Sequence, residues 1–246
     1  MPSVYKRSDT FADQGSYEAQ KHYDVDIVLC IDGTKSMFPM INKVKENALS
    51  LSDDILRVAQ QKKKRIDNLR IKILVFRDYL SDGAYFMEES DFFQMPEEKE
   101  DLRTVMQGII ASGGGDEPED ALEALAYAMS SDWQPPRSGT ARRQIISVWT
   151  DASAHDLGFG KGSEYYDSDF LPGSFQALTD WWGDDKTEDS RMDYTSKRLA
   201  LFAPETEPWL KLKRCWDHVF LTPSIAGQGM KESEYEEVIQ LIVNTI

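Results

Sequence analysis

The 246-residue chain predicts an α/β domain: a central, mostly parallel sheet with one antiparallel edge strand and helices on both faces. Three observations carry that prediction. Near-continuous apolar runs recur at Val25–Ile31, Leu69–Phe76 and Gln144–Trp149, the pattern of strands covered on both faces. Between these runs the apolar residues fall at helical spacing. The two kinds of segment also alternate along the chain, as parallel strands joined by crossover helices do.

Residues 1–24 are polar, mixed in charge and without periodicity, and are expected to form an N-terminal arm. Residues 25–246 are then one domain, a normal size for a single α/β unit. From Pro39 the apolar residues Ile41, Val44, Ala48, Leu51, Ile55 and Val58 are spaced by threes and fours, which predicts one long amphipathic helix. After the second strand the turn Leu80-Ser-Asp-Gly83 suggests a hairpin, with the antiparallel edge strand at Ala84–Met87 or Phe92–Met95. Glu97–Ile110 reads as a helix that the glycines of 113–115 end, and Leu122, Leu125, Ala126 and Met129 mark the next one. Residues 152–197 form a long, acidic, aromatic-rich insertion with a helix around Ser174–Trp182. Two more strands follow at Arg198–Phe202 and His218–Leu221. Tyr235, Val238, Ile239, Ile242 and Ile246 give the last helix its apolar face.

Composition narrows the partners. Asp and Glu number 43 against 28 Lys and Arg, a formal charge of −15. A nucleic-acid backbone or an anionic membrane surface is repelled by such a chain, so neither is expected as a partner. The local basic run Lys62-Lys-Lys-Arg65 reads as the solvated end of a helix. With only two cysteines, at unrelated spacing, no disulfide framework or zinc site is expected. No signal peptide opens the sequence and no apolar run approaches the ~20 residues of a membrane span. A reducing, cytoplasmic setting is the expectation.

In sheets of this kind ligands bind outside the carboxyl ends of the strands. Three of those ends carry chemistry: Asp32-Gly-Thr-Lys-Ser36 after the first strand, Gly113-Gly-Gly-Asp-Glu-Pro-Glu119 before a helix, and Thr150-Asp151 after Gln144–Trp149. Together they offer carboxylates from Asp32, Asp116 and Asp151 and hydroxyls from Thr34 and Ser36. That all-oxygen set suits a hard cation, Mg²⁺ or another divalent such as Mn²⁺ or Ca²⁺. Alternate residues of a loop leaving a strand can face one side, which is the physical sense of the D-x-T-x-S spacing.

Plainer readings stand beside these. Asp116 and Glu119 also form a D-x-x-E capping box at a helix start, with Pro118 in its first turn. Thr34 and Ser36 can bond their own backbone in a turn. His155 reads first as a structural hydrogen-bonding group, Asp78 as a neighbour of the ligands, and Trp181, Trp182, Trp209 and Trp216 as core or as an exposed recognition face.

Asp32-x-Thr34-x-Ser36, the glycine-rich loop with Asp116, and the strand-end Asp151 resemble the von Willebrand factor A (VWA) domain and its metal-ion-dependent adhesion site (MIDAS). The segments "FRDY", "GGGDEPEDALEAL" and "TDASAH" resemble the intracellular branch of that family, found in bacterial proteins and beside some atypical kinases. The resemblance implies the Rossmann-like VWA fold and a protein-binding module rather than an enzyme, working beside a kinase, phosphatase or ATPase. It also implies that Thr34 and Ser36 ligate Mg²⁺ directly, that Asp32 and Asp151 act through water, and that a partner's carboxylate completes the shell. The sequence departs from the pattern at Asp116, where threonine is usual. A third carboxylate makes an acidic partner less welcome, and Asp116 itself is an alternative occupant of that position. "LCIDGT" also resembles the metal-binding loop of haloacid-dehalogenase-type phosphatases, but Cys30 stands where their nucleophilic aspartate belongs. No catalytic constellation is otherwise assembled.

Overall fold

The computed structural model describes residues 21–115, 118–187, 190–224 and 232–246. Its elements, in order, are β1 (His22–Asp32), α1 (Phe38–Glu46), α2 (Leu51–Gln61), β2 (Arg65–Phe76), α3 (Tyr79–Asp82), β3 (Met87–Glu89), β4 (Phe93–Met95), α4 (Lys99–Gly108), α5 (Ala121–Met129), β5 (Ala141–Trp149), α6 (Phe175–Trp182), β6 (Lys197–Ala203), α7 (Trp209–Cys215), β7 (Val219–Pro223) and α8 (Glu232–Thr245). Single 3₁₀ turns lie at Lys35–Met37, Gly83–Tyr85 and Phe159–Gly162.

The strands form one sheet in the order β3-β2-β1-β5-β6-β7. β1 pairs in parallel with β2 and β5, and β6 in parallel with β5 and β7. The antiparallel edge is made of two short pieces, β3 and β4, which both pair with β2. Each alternative placement of the edge strand thus caught part of it.

Alternate residues of β1 supply two cores, as the pleat requires. Ile27, Leu29 and Ile31 pack with the apolar faces of α1, α2, α4 and α8. Val28 and Cys30 pack with α5, α6 and α7 on the other side. α5 is buried almost all round; its alanines at 121, 124, 126 and 128 let it lie close to the sheet. Trp182, Trp209 and Trp216 are buried in the second core, so these rings are packing and not a recognition face. Ser174 caps α6 by accepting a hydrogen bond from the Ala177 amide (3.1 Å), which is why that helix starts where its sequence predicts. No helix among the described residues is long and apolar enough to cross a membrane.

Two sequence expectations are corrected. The long helix after Pro39 is two helices, broken at 47–50. Asn47 Nδ2 donates to the Lys43 carbonyl (2.8 Å) and Ser50 Oγ to the Asn47 carbonyl (3.2 Å), local bonds that compete with helix continuation while the apolar spacing runs on through the break. β1 begins at His22 rather than Val25, which takes residues 22–24 out of the arm. The arm's residues 1–20 lie outside the described residues.

Candidate functional site

Strand β1 ends at Asp32, and the next residue ties three loops together. The Gly33 amide donates to the Phe76 carbonyl at the end of β2 (2.9 Å), and its own carbonyl accepts from the Ser112 amide (2.9 Å). A Cβ on Gly33 would stand 2.6 Å from Val75 Cγ1, so only glycine allows this crossing. Arg77, 2% exposed, holds the same junction from below. Its Nε donates to the Gly33 carbonyl (3.2 Å), Nη1 to the Tyr85 carbonyl (2.8 Å) and to Glu88 (2.6 Å), and Nη2 to the Ile110 carbonyl (2.8 Å). One guanidinium fork thereby fixes the loops after β1, β2 and α4.

The side chains above this junction form a continuous hydrogen-bonded set. Asp32 Oδ1 accepts from the Thr34 amide (2.9 Å) and from Thr34 Oγ1 (2.6 Å), and Oδ2 accepts from Thr150 Oγ1 (2.7 Å). Ser36 Oγ donates to Asp151 Oδ1 (2.8 Å) across 115 residues of sequence and lies 3.4 Å from Thr34 Oγ1. Asp32 and Asp151 are fully buried, and Thr34 nearly so. Burial raises the Asp32 carboxyl to about 6; bonds from Thr34 and Thr150 partly offset this, and the neighbouring Asp151 charge adds to it.

Further acids lie behind this set. Glu119 is 3% exposed and its Oε2 has no hydrogen-bond partner among the described residues. Burial and the charges of Asp32, Asp78, Asp82 and Asp120 push it up to about 9. Asp120 accepts from the Tyr79 amide (2.7 Å), and burial lifts it to about 6. Asp78 caps α3 by accepting from the Leu80 and Ser81 amides and meets His155 Nε2 at 3.3 Å. The loop 113–115 lies between the two layers. A Cβ on Gly114 would stand 3.1 Å from Thr34 Cβ and 3.2 Å from Glu119 Oε1, and its φ of +75° is left-handed.

The donor set fits a small hard cation. Thr34 and Ser36 spend their hydroxyl protons on Asp32 and Asp151, which leaves oxygen lone pairs for a metal. Adjacent ligands of an octahedral ion stand roughly 3.0 Å apart around Mg²⁺ and roughly 3.4 Å around Ca²⁺; the Thr34 and Ser36 oxygens, 3.4 Å apart, match the wider spacing. Among the described residues no three His, Cys, Asp or Glu side chains gather as a metal cluster. Cys30, at the position a phosphatase nucleophile would take, is fully buried with its thiol pushed far up by desolvation.

The model of the von Willebrand factor A domain matches residues 26–161, more than half of the chain. The chain belongs to the von Willebrand factor A domain family. Among solved structures this VWA domain is similar to the pilus adhesin SpaC from Lactobacillus rhamnosus GG in its open conformation: 10% identity, TM-score 0.48, over 90% of this chain and 29% of that one. It is also similar to proximal thread matrix protein 1 from the mussel byssus: 10% identity, TM-score 0.45, over 92% of this chain and 49% of that one. The chain spans about half or less of the length of these solved structures. No curated protein matches it.

Of the five residues singled out from the sequence of this VWA domain, the structure brings together Asp32, Thr34, Ser36 and Asp151. The fifth, Asp116, lies outside the described residues. The capping box is corrected: α5 starts at Ala121 with Asp120 in the cap position, and Pro118 and Glu119 precede the helix. Glu119 instead bridges to the loop after β5, its amide donating to the Ser153 carbonyl (3.2 Å) and its carbonyl accepting from the His155 amide (2.9 Å). Sequence reasoning missed Thr150, Arg77 and the burial of Glu119. The threonine beside a strand-end aspartate was the one available signal.

Proposed function

We propose that this VWA domain is a metal-dependent protein-interaction module whose contact surface is the carboxyl edge of the sheet. Mg²⁺, or another hard divalent cation such as Mn²⁺ or Ca²⁺, is held there by Thr34 and Ser36, with Asp32 and Asp151 supporting them. The ion supplies positive charge and an open coordination position for a partner's oxygen. The observation that supports this most is the Ser36–Asp151 bond, which closes a ring of oxygens drawn from two distant loops. Asp116, on the third loop, is proposed as a further oxygen donor to the same ion.

Partners are proteins rather than nucleic acid or membrane, because a chain of charge −15 repels both of those surfaces. The proposed setting, cytoplasmic bacterial signalling beside a kinase, phosphatase or ATPase, has the resemblance of the three sequence segments as its support.

Calorimetric titration of the metal-free chain with MgCl₂, MnCl₂ and CaCl₂ tests the reading. One ion per chain is expected for the wild type and none for Asp32→Ala or Ser36→Ala, with circular dichroism showing all three folded. Unchanged binding in both variants would overturn the site. An Asp116→Thr substitution that leaves affinity untouched would remove Asp116 from it.

A further inference from the structure

Beside the acid-and-hydroxyl set lies a shelf of partly exposed apolar side chains. Leu80 is 52% exposed, Tyr85 70%, Phe159 50% and Tyr165 41%. A lone exposed apolar residue needs no explanation, but adjoining ones mark a contact surface. These four come from two segments, 79–85 and 159–165, that pack on each other. Gly160 sits so close to Tyr79 that a Cβ would be 2.7 Å from the Tyr79 Cβ. Leu80 Cδ2 lies 3.7 Å from the Cβ position of Gly162, and Tyr165 Cε2 lies 3.7 Å from that of Gly83. Phe159 is held by stacking on His155, with ring centroids 3.8 Å apart and planes at 9°.

The shelf joins the candidate site through the glycine loop. The Gly114 amide donates to Asp82 (3.2 Å) at the end of α3, while Gly114 also abuts Thr34. Around the rings the exposed charges are mainly acidic: Asp156, Glu164 and Asp167, against the single cation Lys161 within 156–167.

We propose that this shelf docks a protein segment carrying large apolar side chains flanked by lysine or arginine. The apolar anchors cover Leu80, Tyr85, Phe159 and Tyr165, and the basic flanks meet the acidic border. The proposal rests on reading the carboxyl edge as an interaction surface and names the partner chemistry that edge selects. It differs from an anion-seeking metal site, because here the partner's positive charge faces the chain's negative border.

The test is selection from a displayed random peptide library on the full chain in MgCl₂, followed by synthesis of the enriched peptides and measurement by fluorescence anisotropy. Enriched sequences are expected to pair large apolar residues with net positive charge and to weaken as salt rises. Leu80→Ser combined with Tyr165→Ser, with circular dichroism showing the variant folded and Tyr85→Ser, at the most exposed of the four positions, as a second variant, is expected to weaken them by about tenfold or more. Each peptide is also measured with chelator and on Asp32→Ala. Binding lost in the shelf variant but kept without metal supports the shelf while removing the metal reading. Binding lost without metal but unchanged in the shelf variant overturns the shelf while supporting the metal reading. Enrichment of acidic or uncharged peptides, or of none that depend on the shelf, also overturns the proposal.

Discussion

Strand β1 buries three aspartates of like parity, Asp24, Asp26 and Asp32, and treats its two ends in opposite ways. At the amino end Asp26 accepts from Arg70 Nε (2.8 Å) and Nη2 (2.7 Å) and from the amide and side chain of Gln134 (both 2.8 Å). Asp24 accepts from Arg137 and from Thr140. At the carboxyl end Asp32 meets hydroxyls and an amide, with further acids behind it. A buried carboxylate with a guanidinium partner is electrostatically complete. One surrounded by neutral donors and other carboxyls is short of positive charge, and a cation would supply it. The difference separates a structural acid from a site acid where residue type, burial and strand are the same.

The amino end should break hardest. Arg70→Ala leaves Asp26 buried without its cation, and a loss of about 3–5 kcal/mol is expected in urea denaturation. A loss below about 1 kcal/mol would show that the pair is not what stabilises that end.

The carboxyl end should respond to pH instead. Glu119, and Glu123 in the first turn of α5, where its Oε1 accepts from the Gly158 amide (2.7 Å), are held at about 9 and about 8, above their ordinary 4.5, chiefly by burial. The folded chain keeps these protons where the unfolded chain has released them. The stability they contribute is therefore present below pH 4.5 and is lost as pH rises through 8 to 9. Without divalent ions, the melting temperature is expected to fall by roughly 5 °C between pH 6 and pH 9. Glu123→Gln should flatten part of that slope, and a melting temperature that rises over the same interval would refute the assignment.

Gly114→Ala probes the wall between the two acid layers. Its left-handed φ of +75° and its closeness to Thr34 predict a loss of about 1–2 kcal/mol by thermal melting, together with weaker metal binding. A neutral outcome would mean that the loop moves freely.

Asp32→Asn sharpens the comparison with the smallest change in stability. Removing a charge that is costly to bury while keeping its shape should alter metal-free stability by about 1 kcal/mol or less. The same substitution should abolish the rise in melting temperature that linkage predicts for the wild type in MgCl₂ once the ion exceeds its dissociation constant. A large destabilisation without metal would place Asp32 with Asp26 as a structural acid.

Much of this was legible from local pattern. The strands at 25–31, 69–76 and 144–149 each appear within β1, β2 and β5, and Ser174 marks the start of α6. Asp32, Thr34, Ser36 and Asp151 were legible as candidates because parallel strands bring their carboxyl ends to one edge. The break at 47–50 was not, because apolar spacing reports which face is buried and carries no record of a side chain bonding the backbone. Arg77 was not either, since an arginine after a strand reads as solvated until three loops are seen to converge on it.

The alternation of strands and helices, the mostly parallel character of the sheet and the edge that gathers Asp32, Thr34, Ser36 and Asp151 were legible from sequence alone, because periodicity and strand direction are local properties of the chain. The electrostatic character of each acid was decided only by tertiary structure. Arg70 lies 44 residues from Asp26, Arg137 lies 113 from Asp24, and Thr150 lies 118 from Asp32. Whether a buried charge is neutralised depends on what folding carries to it from such distances.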